Sequence, residues 1–422
     1  MAFVHVITNY HRRMQRLGFL KHLVWRASRS ATNNLSSLGE DLISSVSQKV
    51  SVTLTPGLQE YFRALTDPIY KNLHGIASKP LDESPDRQVI QVEIQDVYLA
   101  DSGIASRRGR LVKGDRNKYP YLAVEVGLLR GGTFSILVRG LTFLSVVSEK
   151  EKRAFTDVAS IGSSNNVNPL RLTLSQTLLL LFCFVEKDGD ILKGLYQILL
   201  RIRESFADWE AGDYLADVYR LVVKQSRSKT RSGDDLSKIQ KLLDTADRIE
   251  SWMGKPYKGK GARDEAATIR LEPFVDLGLL SKPDPFAYRY QVTDITRAFF
   301  EPMINAESID YFLHHSFFEA ASKAFNLNAE HRTDRETILP AIQKAYMVLK
   351  SPLGYVPILE VALLAGIYSI TESGYYFEIS EATDMLKALQ KERPELVRFN
   401  VDRWGNLTFV KFNGDITRAL GG

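Results

Sequence analysis

A chain of 422 residues, 44% hydrophobic and 25% charged, is long enough for two or three domains with real cores and has the composition of a soluble protein. A single cysteine, Cys183, excludes an intrachain disulfide and a cysteine zinc site. The longest apolar run, LLLLFCFV over residues 178–185, falls short of the roughly 20 residues a transmembrane segment needs, so a cytoplasmic location is expected. The net charge of +5 is unevenly placed: residues 1–39 hold Arg12, Arg13, Arg16, Lys21, Arg26 and Arg29 without one acid, which leaves the remainder close to neutral.

Residues 1–77 read as a basic helical N-terminal region, through YHRRMQRLGFLKHLVW, LGEDLISSVSQKVSV and TPGLQEYFRALTDPIYKNLHGI. The acid-free residues 1–39 suit a solvated or docked helix, a nucleic-acid arm, or a targeting or membrane-surface segment. The polar SKPLDESPDR at 78–87 reads as a linker. The β-branched runs VIQVEIQDVYLA, YPYLAVEVGLL and TFSILVRGLTFLSVV then predict a small sheet domain over 88–160. Between its first two runs, SRRGRLVKGDRNK carries Arg107, Arg108 and Arg110 among six basic residues, a loop suited to phosphates.

From residue 170 the pattern is helical again. TLSQTLLLLFCFVEKDGDILKGLYQILLRIRESF reads as two apolar helices with Gly189 turning between them, followed by helical WEAGDYLADVYRLVVKQ and LSKIQKLLDTADRIESWM. GKPYKGKG at 254–261 has the skeleton of a phosphate-binding loop, but Gly261 stands where a magnesium-holding hydroxyl belongs. A helix, not a buried strand, leads into it. It reads instead as a glycine-rich basic loop in which Lys255, Lys258 and Lys260, with Arg263 after them, approach a polyanion.

In ARDEAATIRLEPFVDLGLLSKPDPFAYRYQVTDITRAFFE, a helix stops near Gly278, the chain turns at SKPDPF, YRYQVT forms a short strand, and Thr293 or Asp294 caps another helix. Near the C-terminus, YVPILEVALLAGIYSIT and ISEATDMLKALQKE, with Ser380 as N-cap, precede VRFNVDRWGNLTFVKF, a hairpin turning over Asp402–Asn406. The order helix, helix, hairpin resembles the winged-helix superfamily in both places, most directly at residues 270–280 and 288–300. The two segments span about 172–300 and 355–415. That resemblance implies duplex DNA as partner, with Lys258, Lys260, Arg263 and Arg270 at a recognition helix, and Arg289, Arg403 and Trp404 on wings.

Chemistry has weaker anchors. Glu93, Asp96, Asp101 and Glu125 would serve a metal-dependent nuclease, but no lysine stands two residues after Glu125, and they read as strand-surface acids. GIYSITESGYYF lacks the second half of its nuclease motif and reads as a buried helix end and a turn. His314-His315 reads as a structural pair, and no G-x-S-x-G elbow is present. The expectation is an α+β, helix-rich protein with a winged-helix-like domain at 170–303, a helical segment and a second winged-helix-like domain within 304–422, no cofactor and no metal. Its expected role is to bind duplex DNA without catalysis, with a protein partner or a second copy, in a bacterial DNA-handling complex for antiviral defence, plasmid control or segregation. The alternatives are a docking scaffold, as winged helices are in the kleisin partners of chromosome-organising complexes, and a nuclease subunit.

Overall fold

The computed structural model describes residues 7, 17, 19–29, 118–131, 133–147, 172–202, 204–227, 233–251, 262–281, 289–403 and 405–420. They are helix-rich with three small sheets, an α+β arrangement. In chain order they form α1 (Phe19–Arg29), α2 (Lys118–Glu125), α3 (Val138–Ser145), α4 (Leu174–Ile202), β1 (Ser205–Ala207), α5 (Asp208–Arg227), α6 (Gly233–Glu250) and α7 (Ala262–Asp276). There follow β2 (Leu280–Ser281), β3 (Arg289–Val292), α8 (Asp294–Asn305), α9 (Ile309–His315), α10 (Phe317–Ala324), β4 (Glu330–His331) and α11 (Arg335–Leu349). The chain closes with β5 (Val356–Pro357), α12 (Ile358–Tyr368), a π-helical turn (Ser369–Ser373), β6 (Tyr375–Tyr376), α13 (Ile379–Glu392), β7 (Val397–Val401), β8 (Leu407–Phe412) and a 3-10 turn (Ile416–Leu420).

Contacts divide the chain into two units. The first comprises Met1–Ile136, Val147–Leu172 and Lys187–Thr293, and the second Leu137–Val146, Thr173–Glu186 and Asp294–Gly422. No described helix is long and apolar enough to cross a membrane.

In the first unit, α5 packs on α6 and α7, and the antiparallel sheet has the order β1-β3-β2. The helix α7 stops as its sequence predicts. Gly278 has φ +78°, its N–H donates to Val275 O (3.0 Å), and that of Leu279 donates to Phe274 O (2.8 Å). Only a residue tolerant of the left-handed region closes a helix this way.

In the second unit the antiparallel sheet has the order β5-β8-β7, and β4 pairs with β6 in parallel. Its core holds edge-to-face contacts of Phe317 with Phe182, Phe299 and Phe318, at ring separations of 5.2, 6.1 and 5.3 Å. Burial of such rings carries much of a core's apolar stabilisation. Gly366 of α12 lies against the Phe318 ring so closely that a Cβ there would sit 2.3 Å from Cε2.

Four sequence expectations change. YPYLAVEVGLL and TFSILVRGLTFLSVV, predicted as strands, hold α2 and α3, and between them stands one isolated bridge, Leu129 to Ile136. Burial decides it: Leu122, Ala123 and Val126, then Arg139, Thr142 and Phe143, recur at helical spacing. The rest of the predicted sheet domain, 88–117 and 148–160, lies outside the described residues. KDGD does not turn the chain, because α4 runs through it with Asp188 buried. Ser380 is not the N-cap of α13; that position is Glu378, whose N–H donates to Glu381 Oε2 at 2.7 Å. Of the predicted N-terminal helices, α1 alone falls among the described residues.

Candidate functional site

The two three-stranded sheets place a helix before the hairpin in each unit, α7 in the first and α13 in the second. Their environments differ. On α7, Arg270 is 2% exposed, and its Nε lies 2.8 Å from Asp188 Oδ2. Its Nη1 donates to Tyr219 Oη (2.7 Å) and its Nη2 to Ile7 O (3.0 Å), while Asp188 Oδ1 accepts from Ile7 N–H (2.9 Å). Burial pushes the Asp188 carboxyl up to about 6, opposed by the guanidinium. Arg270, expected at a groove, is therefore a buried structural cation and does not reach nucleic acid from this position. An uncompensated charge inside a protein is costly, which explains why α4 keeps an aspartate in a helix interior.

On α13 the charged residues lie at the surface, and most of them pair. Both Glu381 carboxylate oxygens are 3.0 Å from His331 Nε2, Lys387 Nζ is 2.7 Å from Asp384 Oδ1, and Glu392 pairs with Arg335. Just before α13, the buried Glu378 carboxylate accepts from the N–H groups of Phe318 (3.1 Å) and Glu319 (2.8 Å) at the start of α10. Burial raises it to about 7 in spite of those two donors. The helix is thus fixed at its N-terminus and bears no basic stripe.

The sheet beside it is asymmetric. Strand alternation sends Val356, Val397, Val410 and Phe412 into the core. The opposite face carries Tyr355, Pro357, Arg398, Asn400, Phe409 and Lys411. Phe409 stands opposite both Asn400 and Pro357, Lys411 stands opposite Arg398, and Lys411 Nζ lies 5.3 Å from the Tyr355 ring centroid. Phe409 is 39% exposed, Val401 near the hairpin turn 60%, and Leu353 next to Gly354 79%. The turn itself is as predicted. Asp402 N–H donates to Asn406 O (2.9 Å), Gly405 has φ +87°, and the Asp402 carboxylate accepts from both the N–H and Nδ2 of Asn406.

The remaining sequence candidates are scattered. Arg403 is exposed at the β7–β8 turn, and Arg289 is exposed on β3 with Nε donating to Ser205 Oγ at 3.1 Å. Arg263 lies in the first turn of α7. Lys255, Lys258, Lys260, Trp404, Arg107, Arg108 and Arg110 lie outside the described residues, as do Glu93, Asp96 and Asp101. Glu125 ends the helix α2 rather than sitting on a strand. His315 stacks on Tyr311 at 4.5 Å, and burial lowers the pKa of its neighbour His314. GIYSITESGYYF closes α12 with the π-helical turn and Gly374 at φ +70°. Among the described residues no group of three or more His, Cys, Asp or Glu is placed to hold a metal ion.

The outward Arg398, Phe409 and Lys411 were missed from the sequence. The alternation in VRFNV and LTFVKF carried the signal, since the residues between buried ones must face out. No protein-family model, no curated protein and no solved structure matches the chain.

Proposed function

We propose that this protein is a non-catalytic docking subunit built on two winged-helix units, the second of which holds a partner protein on its hairpin and outer sheet face. The winged-helix reading is supported by the order of each sheet: first, third, second, with a helix before the first strand and helices between it and the hairpin. The observation that carries the docking role is the exposure of Val401 and Phe409 beside a helix whose charges are largely paired. A groove-reading helix presents unpaired donors to bases and cations to phosphates. Exposed apolar side chains rimmed by polar groups are instead what a protein contact buries. The test is a photo-reactive residue at position 409, compared with one at position 384 on α13, in cells that make the protein. A discrete protein adduct from 409 and none from 384 is expected. Nucleic-acid adducts from 384 would overturn the reading.

Duplex DNA is the second reading, favoured by Arg289 and Arg403, which stand exposed at the two hairpins where wings touch phosphates. With the basic residues that precede α7 in sequence, they would serve a DNA-handling complex. This reading expects duplex binding that weakens with salt and is reduced when Lys258, Lys260 and Arg263 are all changed to alanine. Binding indifferent to salt would overturn it.

A further inference from the structure

Resting on the docking reading, we propose that the outer face of the β5-β8-β7 sheet takes an acidic segment of a partner protein that inserts an aromatic or aliphatic anchor. Register places Lys411 opposite Arg398, and period-two alternation puts Phe409 on the same face as Lys411. Lys411 also lies alongside the turn that carries Leu353, its Cε 3.2 Å from where a Gly354 Cβ would stand, and over the Tyr355 ring. Two adjacent cations therefore stand at one end of an apolar strip formed by Pro357 and Phe409, with Tyr355 beside Lys411, and neither Arg398 nor Lys411 makes an ion pair among the described residues.

The acids nearest in sequence are already engaged. Both Asp402 oxygens accept from Asn406, Glu395 lies 3.8 Å from Arg393, and Asp415 accepts from Thr417. Among the described residues neither cation of this face is paired with an acid, so the complement it selects is negative. Two cations are too few for a polybasic membrane site, which uses about 4–8, or for a phosphate track, whose affinity grows with each neutralised phosphate. They suffice to orient a peptide whose anchor fills the apolar strip, because charge complementarity sets register and partner choice while a buried anchor supplies most of the affinity.

The test pans a random peptide library of about 12 residues against the full chain, the length of an ordinary linear docking segment. Enriched peptides are expected to be net acidic with an aromatic or large aliphatic residue. A labelled representative should lose about tenfold in affinity against Arg398→Glu/Lys411→Glu and against Phe409→Ala, with unchanged far-UV circular dichroism. Enrichment of neutral or basic peptides that still depend on Phe409 would overturn this inference and leave the docking reading standing. No enrichment would overturn the inference as well. Preferential capture of a DNA duplex or of phosphatidylserine vesicles, lost in the same variants, would overturn both.

Discussion

The helices before the two hairpins occupy equivalent places in similar strand arrangements and are used in opposite ways. In the first unit α7 is a core element: its central arginine is buried, paired with Asp188 and hydrogen-bonded to Tyr219. In the second unit α13 carries its acids at the surface, with Glu381, Asp384 and Glu392 paired to His331, Lys387 and Arg335. A shared topology therefore does not carry a shared binding surface. What decides is which face of the helix the rest of the unit covers. By that measure, α7 has been absorbed into packing, and α13 keeps its charged face at the surface.

The comparison breaks first at Arg270. Arg270→Ala leaves Asp188 buried without its guanidinium, and the expected loss is about 3–5 kcal/mol, read as faster hydrogen exchange through α4, α5 and α7. A loss no larger than that of a surface pair would mean that α7 is not the core element described.

In the second unit the comparable effect is tied to pH. The Glu378 carboxyl is raised from 4.5 to about 7, so between those values the folded unit keeps a proton that the unfolded chain has released. Stability then falls as pH rises through that window, by up to about 3 kcal/mol. Glu378→Gln should flatten the slope, seen by exchange in α10 and α13 from pH 5 upward. A slope unchanged in that variant would locate the titration elsewhere.

Gly366→Ala sharpens the picture of the second core. A methyl group 2.3 Å from the Phe318 ring forces the aromatic cluster or α12 to shift, at about 1–3 kcal/mol in urea unfolding. Neutral behaviour there would show that the ring moves freely.

At the surface the effects are small. Lys387→Ala should cost less than about 1 kcal/mol, and Phe409→Ser with Val401→Ser about 0.5 kcal/mol or less, by the same unfolding assay. If Phe409→Ser destabilised as a core substitution does, its ring would be packing and not a contact for a partner.

Local signals were legible in the sequence because they depend on a few neighbouring residues. Gly278 at the end of α7, the Asp402–Asn406 turn and the alternation of β7 and β8 all follow from backbone geometry and period. What was not legible depends on distant partners. KDGD looks like a turn until Asp188 meets Arg270, 82 residues later, and Arg270 looks like a groove contact until Asp188 is beside it. The segments holding α2 and α3 are rich enough in β-branched and aromatic residues to suggest strands. Their helical form follows from which side chains the unit buries, a tertiary effect that local propensity does not carry.

The most direct test of the docking account is fluorescence anisotropy with a labelled duplex of about 30 base pairs at low and moderate salt. It compares the natural chain with one carrying Arg398→Glu, Arg403→Glu and Lys411→Glu. The account predicts that the triple reversal leaves duplex affinity and its salt dependence unchanged, because it assigns the second unit's hairpin and sheet face to a protein partner. Salt-sensitive binding that the triple reversal abolishes would contradict it and return this surface to DNA.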